Sequence, residues 1–590
     1  MLKTNENKKE KRWHISNKHN PQLRDQLCQE LNISNVLANL LIGRQIKDVS
    51  EGIKFLYPKL DHLHQPFLLK DMKNALERVK KAIVKKEKIL IFGDWDVDGI
   101  CSCVLLMRVL SQLNSNLNYY IPSREEYGLQ SELIKQFHKE SVNLIITVDC
   151  GTSNIEEIVY ANSLGIDTII IDHHEPKEEL PKAYAIINPK QKDCKYPFKE
   201  LAGVGVVFKF IQCLLSSFSK SSNNLKLINY IYENYLDLVA IGTIADIVPL
   251  VDENRIIAKF GLSYLRNTKK VGLKVLLSQL NLTYEKLSSK NISWKLVPVL
   301  NSAGRMNKTS LGADLLCIKN SKKALDIADE LLKLNQSRKV LLQEGTSLIS
   351  QLFFDQVDLY SEKVIVITTS EIHSGLIGIL ANRLLDAYFR PVVVFSVDGD
   401  MAKGSSRSSG NFDLVKALKY CEDLLINHGG HKNAAGLSLT KENIAKFKTR
   451  INEYAQTQIK DEDMLPELTI NCEVNIRELN MSLVKELELL EPYGAGNQQP
   501  IFLLQNTDIV ECRTVGSKAN HLKLKVGDNY QEIDAIGFNM ANFTEYNLSK
   551  SSLAFHFNIN YFNGAALPQL QLLDIKPKNV ASVQPSGVSS

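Results

Sequence analysis

Between residues 88 and 172, short continuous apolar runs alternate with stretches in which apolar residues recur every three or four positions. The runs predict strands at 89–93, 119–122, 144–149 and 168–172, and the periodic stretches predict helices at 100–113, 129–139 and 155–164. Strands apolar on both faces, separated by amphipathic helices, mark βαβ units and a mainly parallel sheet covered on both sides. A second region of this kind predicts strands at 364–368 and 392–395 and helices at 376–385 and 414–421. From about 320 to 357, Ala324, Ile327, Ala328, Leu331, Leu342, Ile349 and Leu352 keep helical spacing with no proline, which predicts one long helix or two abutting ones joining two lobes. Beyond about 465 the pattern becomes that of strands, at 468–474, 501–510, 521–526, 531–538, 554–561 and 569–575, with one helical stretch at 483–490. Several short strands with one helix suit a small β-barrel of the OB type.

The predicted fold class is multidomain α/β: a parallel-sheet core, a long connector helix, a second α/β domain and a C-terminal OB-type β-barrel. The boundaries fall at 1–75 for an N-terminal helical segment with no visible chemistry, 76–318 for the core and 319–358 for the connector. The second α/β domain takes 359–462, the barrel 463–577, and 578–590 reads as a disordered tail rich in Ser, Val, Pro and Gly.

Composition narrows the function classes. A chain of 590 residues exceeds one hydrophobic core, and 44% apolar with 23% charged residues is ordinary for globular domains. No apolar run approaches the roughly 20 residues that cross a bilayer, and the polar, basic start does not form a secretory signal. The ten cysteines include no CxxC pair, which favours reduced thiols over a disulfide frame or a zinc site. The expected location is cytoplasmic, with no membrane partner. A net charge of +5 permits a nucleic-acid partner without arguing for one.

The polar residues that matter fall at strand ends. Asp94, Asp96 and Asp98 follow the first strand in Gly93-Asp94-Trp95-Asp96-Val97-Asp98-Gly99, Asp149 ends the third, and Asp172-His173-His174 ends the fourth. In an open α/β sheet these carboxyl ends form the ligand-binding edge, so the groups converge on one rim, together with Asp246 if Gly242-Thr243-Ile244-Ala245-Asp246 joins them. Carboxylates so close repel one another and need cations; with imidazole they form a mixed oxygen and nitrogen site that suits manganese better than calcium and is compatible with magnesium. A pair of such ions provides what phosphodiester hydrolysis needs. Each Asp singly could instead cap a helix, but adjacent histidines and a triple-Asp loop have no capping rationale.

These stretches, with Val148-Asp149-Cys150-Gly151 and Asn301-Ser302-Ala303-Gly304-Arg305-Met306, resemble the motifs of the DHH phosphoesterase superfamily, and within it the bacterial single-strand-specific exonucleases. The resemblance spans almost the whole chain: DHH core, connector helix, DHH-associated domain with Gly429-Gly430-His431, and barrel. It implies two divalent metal ions, Mn2+ preferred or Mg2+, at Asp96, Asp98, Asp149, His173 and Asp246, with Asp94 in the same loop and Asp149 as the bridge. His174 would lie near the scissile phosphate, and Asp172 would orient the histidines, a usual role for a carboxylate behind a metal-binding imidazole. The implied activity is 5′→3′ hydrolysis of single-stranded DNA to 5′-mononucleotides in DNA repair and recombination. Polarity comes from the resemblance alone. A single-strand-binding protein and a helicase are the protein partners it brings in, and the expected state is a monomer.

In the second lobe, glycines and serines around Arg407 let backbone N–H groups approach a phosphate that a guanidinium clamps. The resemblance implies that Arg305, Ser405, Arg407 and Ser408 grip phosphates and that His431 belongs to the same surface. The alternative is a flexible loop. Tyr127, beside Arg124 on the metal rim, could stack on a base or simply pack. Lys518, His521, Lys523 and Lys525 of the barrel could meet a strand or form a solvated face. Two rivals stand beside the exonuclease: a DHH phosphodiesterase of short oligonucleotides or small nucleotides, which needs no barrel, and a non-catalytic single-strand DNA-binding scaffold, which needs no metal ligands.

Overall fold

A computed structural model describes residues 11–16, 20–113, 116–123, 128–218, 224–283, 287–306, 308–410, 412–528, 530–562 and 565–578. The predicted tail from 579 onward lies outside them, as do Arg124 and Tyr127. The chain divides into two compact units: residues 63–466, and residues 11–62 together with 467 onward.

The first unit is built on a five-stranded parallel sheet with strands in the order Leu117–Tyr120, Ile89–Gly93, Leu144–Val148, Asp167–Ile171, Ala185–Ile187. Every residue of Ile89–Gly93 and Leu144–Val148 is buried, which is why these strands read as unbroken apolar runs. The three-residue strand Ala185–Ile187 is too short for periodicity to reveal. The helix predicted at 100–113 is Val97–Leu110, because Asp96 caps it by accepting from the N–H groups of Asp98 and Gly99. The helix Gly203–Phe218 is anchored by Lys209, whose ammonium lies 2.5 Å from Glu253, both side chains fully buried; the Tyr196 hydroxyl donates to the other oxygen of Glu253. A buried ion pair holds only when such extra bonds satisfy it.

The connector is one continuous helix, Ser321–Gln356, its N-terminus capped by Asn320. It leads into a second sheet ordered Asn427–His431, Ala434–Thr440, Met401–Arg407, Val392–Asp398, Ile365–Thr369. Only the last pair is parallel. The Gly/Ser-rich segment that could have been a flexible loop is therefore mostly a strand, paired on both sides.

In the second unit, strands Phe502–Val515, His521–Gly527, Glu532–Gly537, Ala565–Pro577 and Lys550–Phe562 pair in that order, and the first also pairs with the last, which closes an OB-type barrel. The barrel is not built from its own stretch of chain alone. Strand Arg12–Ile15 runs parallel to Glu467–Ile470, and Leu27, Leu37 and Leu41 share one core with Leu487, Phe502 and Leu553. Arg44 donates to Asn497 at 2.9 Å and to the Gln498 carbonyl at 2.8 Å. Leu37→Ala is therefore expected to destabilise this unit by about 2–5 kcal/mol, since a fully buried leucine leaves a cavity. The fluorescence of Trp13, whose indole donates to Asp574, reads that loss in a chain lacking the other tryptophans. Lys523 and Lys525 are paired across strands with Asp534 and Glu532, as befits a solvated face. Among the described residues no helix is long and apolar enough to cross a membrane.

Candidate active site

The parallel sheet delivers its loops to one edge, and three of them carry the acidic residues. Asp94 and Asp98 are buried, as are Asp149, Asp172 and His173. Asp246 comes from another direction, directly after the 22-residue helix Asn224–Ala245. Ligand atoms of Asp94, Asp96 and Asp149 lie within 4.8 Å of one another. So do those of Asp98, His173 and Asp246, and those of Asp149, His173 and His174. Asp149 thus belongs to two of the three groups. The Nε2 of His173 lies 3.2 Å from Asp149 Oδ1 and 3.6 Å from Asp246 Oδ2. Those two carboxylate oxygens are buried and have no hydrogen-bond partner. Oxygens left so in a protein interior call for a cation.

The local backbone is shaped to hold this cluster. Asp149 sits at φ +60°, a left-handed conformation that a non-glycine residue adopts at a cost and that recurs at functional sites. Asp98 accepts from the N–H of Gly203 at 2.7 Å and of Val204 at 3.0 Å, so it caps the helix behind it while facing the cluster. A Cβ on Gly203 would lie 2.4 Å from Asp149 Oδ1, and one on Gly242 would lie 2.8 Å from Asp98 Oδ1. Gly242 opens the stretch already singled out for Asp246, whereas Gly203 escaped the sequence reading; the glycine pair in Leu201-Ala202-Gly203-Val204-Gly205, at a helix start, was its only signal. Gly203→Ala is expected to weaken divalent-metal binding at least about tenfold, the usual scale for disturbing a residue behind a metal ligand. Titration followed by the signal of free Mn2+ measures it.

Burial, with Asp98 and Asp96 as neighbours, pushes the carboxyl of Asp246 up to about 9. Burial and Asp96 push Asp98 up to about 7, and burial and the surrounding carboxylates raise Asp149 far above the ordinary range. His173 goes the other way, to about 3, through burial and the charge of His174, and is a neutral imidazole fit for ligation. His174 differs. Burial works against its charge, but Asp172, 2.7 Å from Nδ1, raises it to about 9, so it is an imidazolium. Asp172 also accepts from the backbone N–H groups of His173, His174 and Thr152, and these bonds hold it ionised against its burial.

The candidate phosphate-binding groups come from the end of helix Val297–Arg305 and from the second sheet and the turn after its strand Met401–Arg407. Arg305, at the end of helix Val297–Arg305, lies over the ring of Trp95 at 5.2 Å and donates to the Gly375 carbonyl at 3.1 Å, at the start of helix Ser374–Tyr388. Arg407 donates to Ser405 Oγ at 3.1 Å and to the Ser406 carbonyl at 2.7 Å. Ser408 turns inward, and its hydroxyl donates to the Phe412 carbonyl at 3.0 Å. His431 is exposed at the end of its edge strand, and its imidazole is depressed by partial burial and then by the charges of His174 and Lys190. Gly429 and Gly436 pair across the strands, and a Cβ on either would meet nothing within 4 Å. Their bareness leaves the backbone open to a ligand. His373 has a local role, accepting from the Gly375 N–H to cap its helix.

Comparison with known proteins matches this layout. Residues 88–243 match the DHH family N-terminal domain, 361–457 the DHHA1 domain and 470–574 the RecJ OB domain. Over 573 residues the chain is 34% identical to the single-stranded-DNA-specific exonuclease RecJ of Bacillus subtilis, covering 95% of this chain and 70% of that protein. The chain belongs to the RecJ family. The RecJ of Escherichia coli, also named a single-stranded-DNA-specific exonuclease, is 33% identical over 86% of this chain and 91% of its own. The crystal structure of RecJ from Thermus thermophilus in complex with Mn2+ has the same fold, with a TM-score of 0.83 at 27% identity over 96% of this chain and 80% of that one. The chain has the RecJ architecture throughout: a parallel-sheet core, a DHHA1 domain and an OB barrel.

Proposed function

We propose that this RecJ-family chain is a metal-dependent exonuclease that hydrolyses single-stranded DNA from its 5′ end, releasing 5′-mononucleotides, in DNA repair and recombination. The observation that carries this reading is the buried carboxylate cluster, with Asp149 shared between two groups of potential ligands and unpaired oxygens on Asp149 and Asp246. In this reading Asp94, Asp96, Asp98, Asp149, His173 and Asp246 would hold two divalent ions, Mn2+ or Mg2+, with Asp149 belonging to two of the ligand groups. Ions bound there would supply an activated water and neutralise charge developing on the phosphate oxygens. The RecJ of Thermus thermophilus has been crystallised in complex with Mn2+ and with Mg2+.

His174 is the chain's own contribution to the transition state. Fixed on Asp172 through Nδ1 and carrying a proton, it has its other ring nitrogen to donate to a phosphate oxygen in a charge-assisted bond. Asp172 positions that ring and sustains its charge. Arg305 of the core, with Ser405, Arg407 and His431 of the second lobe, holds phosphates, and the open backbone at Gly429 and Gly436 admits them. The inward hydroxyl of Ser408 suits a brace of that loop better than a phosphate contact. Arg124 and Tyr127 remain candidates for the strand on sequence alone. The same reading places the protein in the cytoplasm as a monomer, with a single-strand-binding protein and a helicase as working partners.

The test is a single-stranded oligonucleotide labelled at one end or the other, incubated with Mn2+. Mononucleotide should appear first from the 5′ label, far faster than from duplex, and vanish with a chelator. No release under any divalent ion would sink the enzyme; earlier release from the 3′ label would sink the polarity.

A further inference from the structure

Lys190 follows the edge strand Ala185–Ile187, at the carboxyl end of the parallel sheet. Its loop is laced to the turn that carries the histidines. Asn188 Nδ2 donates to the His174 carbonyl at 2.9 Å and to Thr152 Oγ1 at 3.2 Å, while its Oδ1 accepts from the Lys190 N–H at 2.9 Å. The buried side chain of Gln191 donates to the carbonyls of Ile186 and Asn188. The root of the lysine is therefore fixed with respect to the site. Its side chain is only 16% exposed, and Nζ rests 3.0 Å from Glu175 Oε1, on a side chain that is itself 65% exposed.

The ammonium is close enough to the site for its charge to act on Asp246, on His173 and, from the second lobe, on His431. The charges of Glu175 and His174 reach the same histidine of the second lobe. An ion pair with one partner so exposed contributes about 1 kcal/mol or less. That is too little to account for an ammonium held beside a centre whose carboxylates two divalent ions and the His174 imidazolium would largely neutralise. An arriving phosphodiester would explain it. Lysine is a point charge on a flexible stem with three donors, suited to exchanging one anionic partner for another.

We propose that Lys190 binds a phosphodiester of the single strand next to the one being cleaved, and that Glu175 holds the ammonium in place until the strand arrives. This rests on the exonuclease reading above. The basic and the acidic partner then have opposite effects, which a simple brace would not have. Lys190→Ala should raise KM for a single-stranded oligonucleotide about 5–10-fold, the scale of one charge-assisted contact, with kcat within about twofold. It should reduce the slope of log affinity against log salt by about 0.7, the share of one phosphate on a single strand. Lys190→Arg should restore most of both. Glu175→Gln should lower KM, because the ammonium no longer has a competing partner.

Steady-state kinetics on the full chain gives the first set, and equilibrium binding of a labelled strand in an Asp149→Ala background gives the salt slope. If Lys190→Ala and Glu175→Gln both lower kcat and leave the slope unchanged, the pair only braces the histidine turn and the proposal is overturned. If the unmodified chain binds strands but cleaves none, the exonuclease reading fails, and the salt slope alone then upholds or overturns the role of Lys190.

Discussion

Asp149→Asn is expected to lower kcat/KM on single-stranded DNA by at least about a thousandfold and, in the same protein stripped of metal, to raise the unfolding temperature. The two effects share one cause. Asp149 is buried, and beyond that burial it is repelled by Asp98, Asp96, Asp246 and Asp94, so without cations its charge works against folding. The amide keeps the shape and removes the charge, but it removes it from two groups of ligands at once. Backbone conformation separates this variant from the obvious alternative. At φ +60° asparagine is among the best tolerated residues other than glycine, whereas alanine adds a strain of about 1–2 kcal/mol. Asp149→Ala should lose as much activity with a smaller gain in stability. Kinetics with Mn2+ and thermal melts in chelator measure both. A metal-free Asp149→Asn protein that melts below the unmodified chain would show that the cluster is not held against its own repulsion.

That cluster was largely readable in the sequence because parallel strands must deliver their following loops to one edge. Asp94, Asp96, Asp98, Asp149 and Asp172 each stand just past an apolar run, so topology alone brings them together. Asp246 obeyed no such rule. It follows a helix, and its place on the rim could be stated only as a condition. Gly203 was missed, and the reason for Gly242 could not be read, on a different ground: each is required by a side chain far away in the chain, and a glycine's need for clearance leaves no local pattern.

The second lobe and the barrel show the limits of local pattern more strongly. Met401–Arg407 is poor in the β-branched and aromatic residues that mark strands, yet it lies inside a sheet. Its neighbours on both sides supply the ladder, and a tertiary partner overrides intrinsic preference. The N-terminal segment reads as helical, and Pro21–Leu31 and Asn35–Gly43 are helices. What that reading could not show is the surface on which their apolar faces close. It belongs to residues beyond 467, and amphipathicity specifies that a partner exists without specifying which.

The repulsion that defines the site also sets how metal and pH act on stability. Carboxyls of Asp98 and Asp246 that titrate near 7 and 9, well above the ordinary 3.8, mean that the metal-free native state binds protons which the unfolded chain releases. Stability from these groups is full below about pH 4, the unfolded range, and is lost as pH rises through 7 and 9. For Asp98 alone the displacement corresponds to at most about 4 kcal/mol, and less once the repulsion it shares with its neighbours is counted only once. The metal-free protein should therefore melt at progressively lower temperature between pH 5 and 9. Mn2+ should raise the melting temperature at every pH and raise it most at the alkaline end, since the ion replaces the protons that these carboxyls would otherwise keep. Melting curves at fixed ionic strength across that range, with chelator or with saturating Mn2+, separate the two terms. A Mn2+ increment that stays constant with pH would mean that the ion binds without displacing protons, which a site made of these raised carboxyls does not allow.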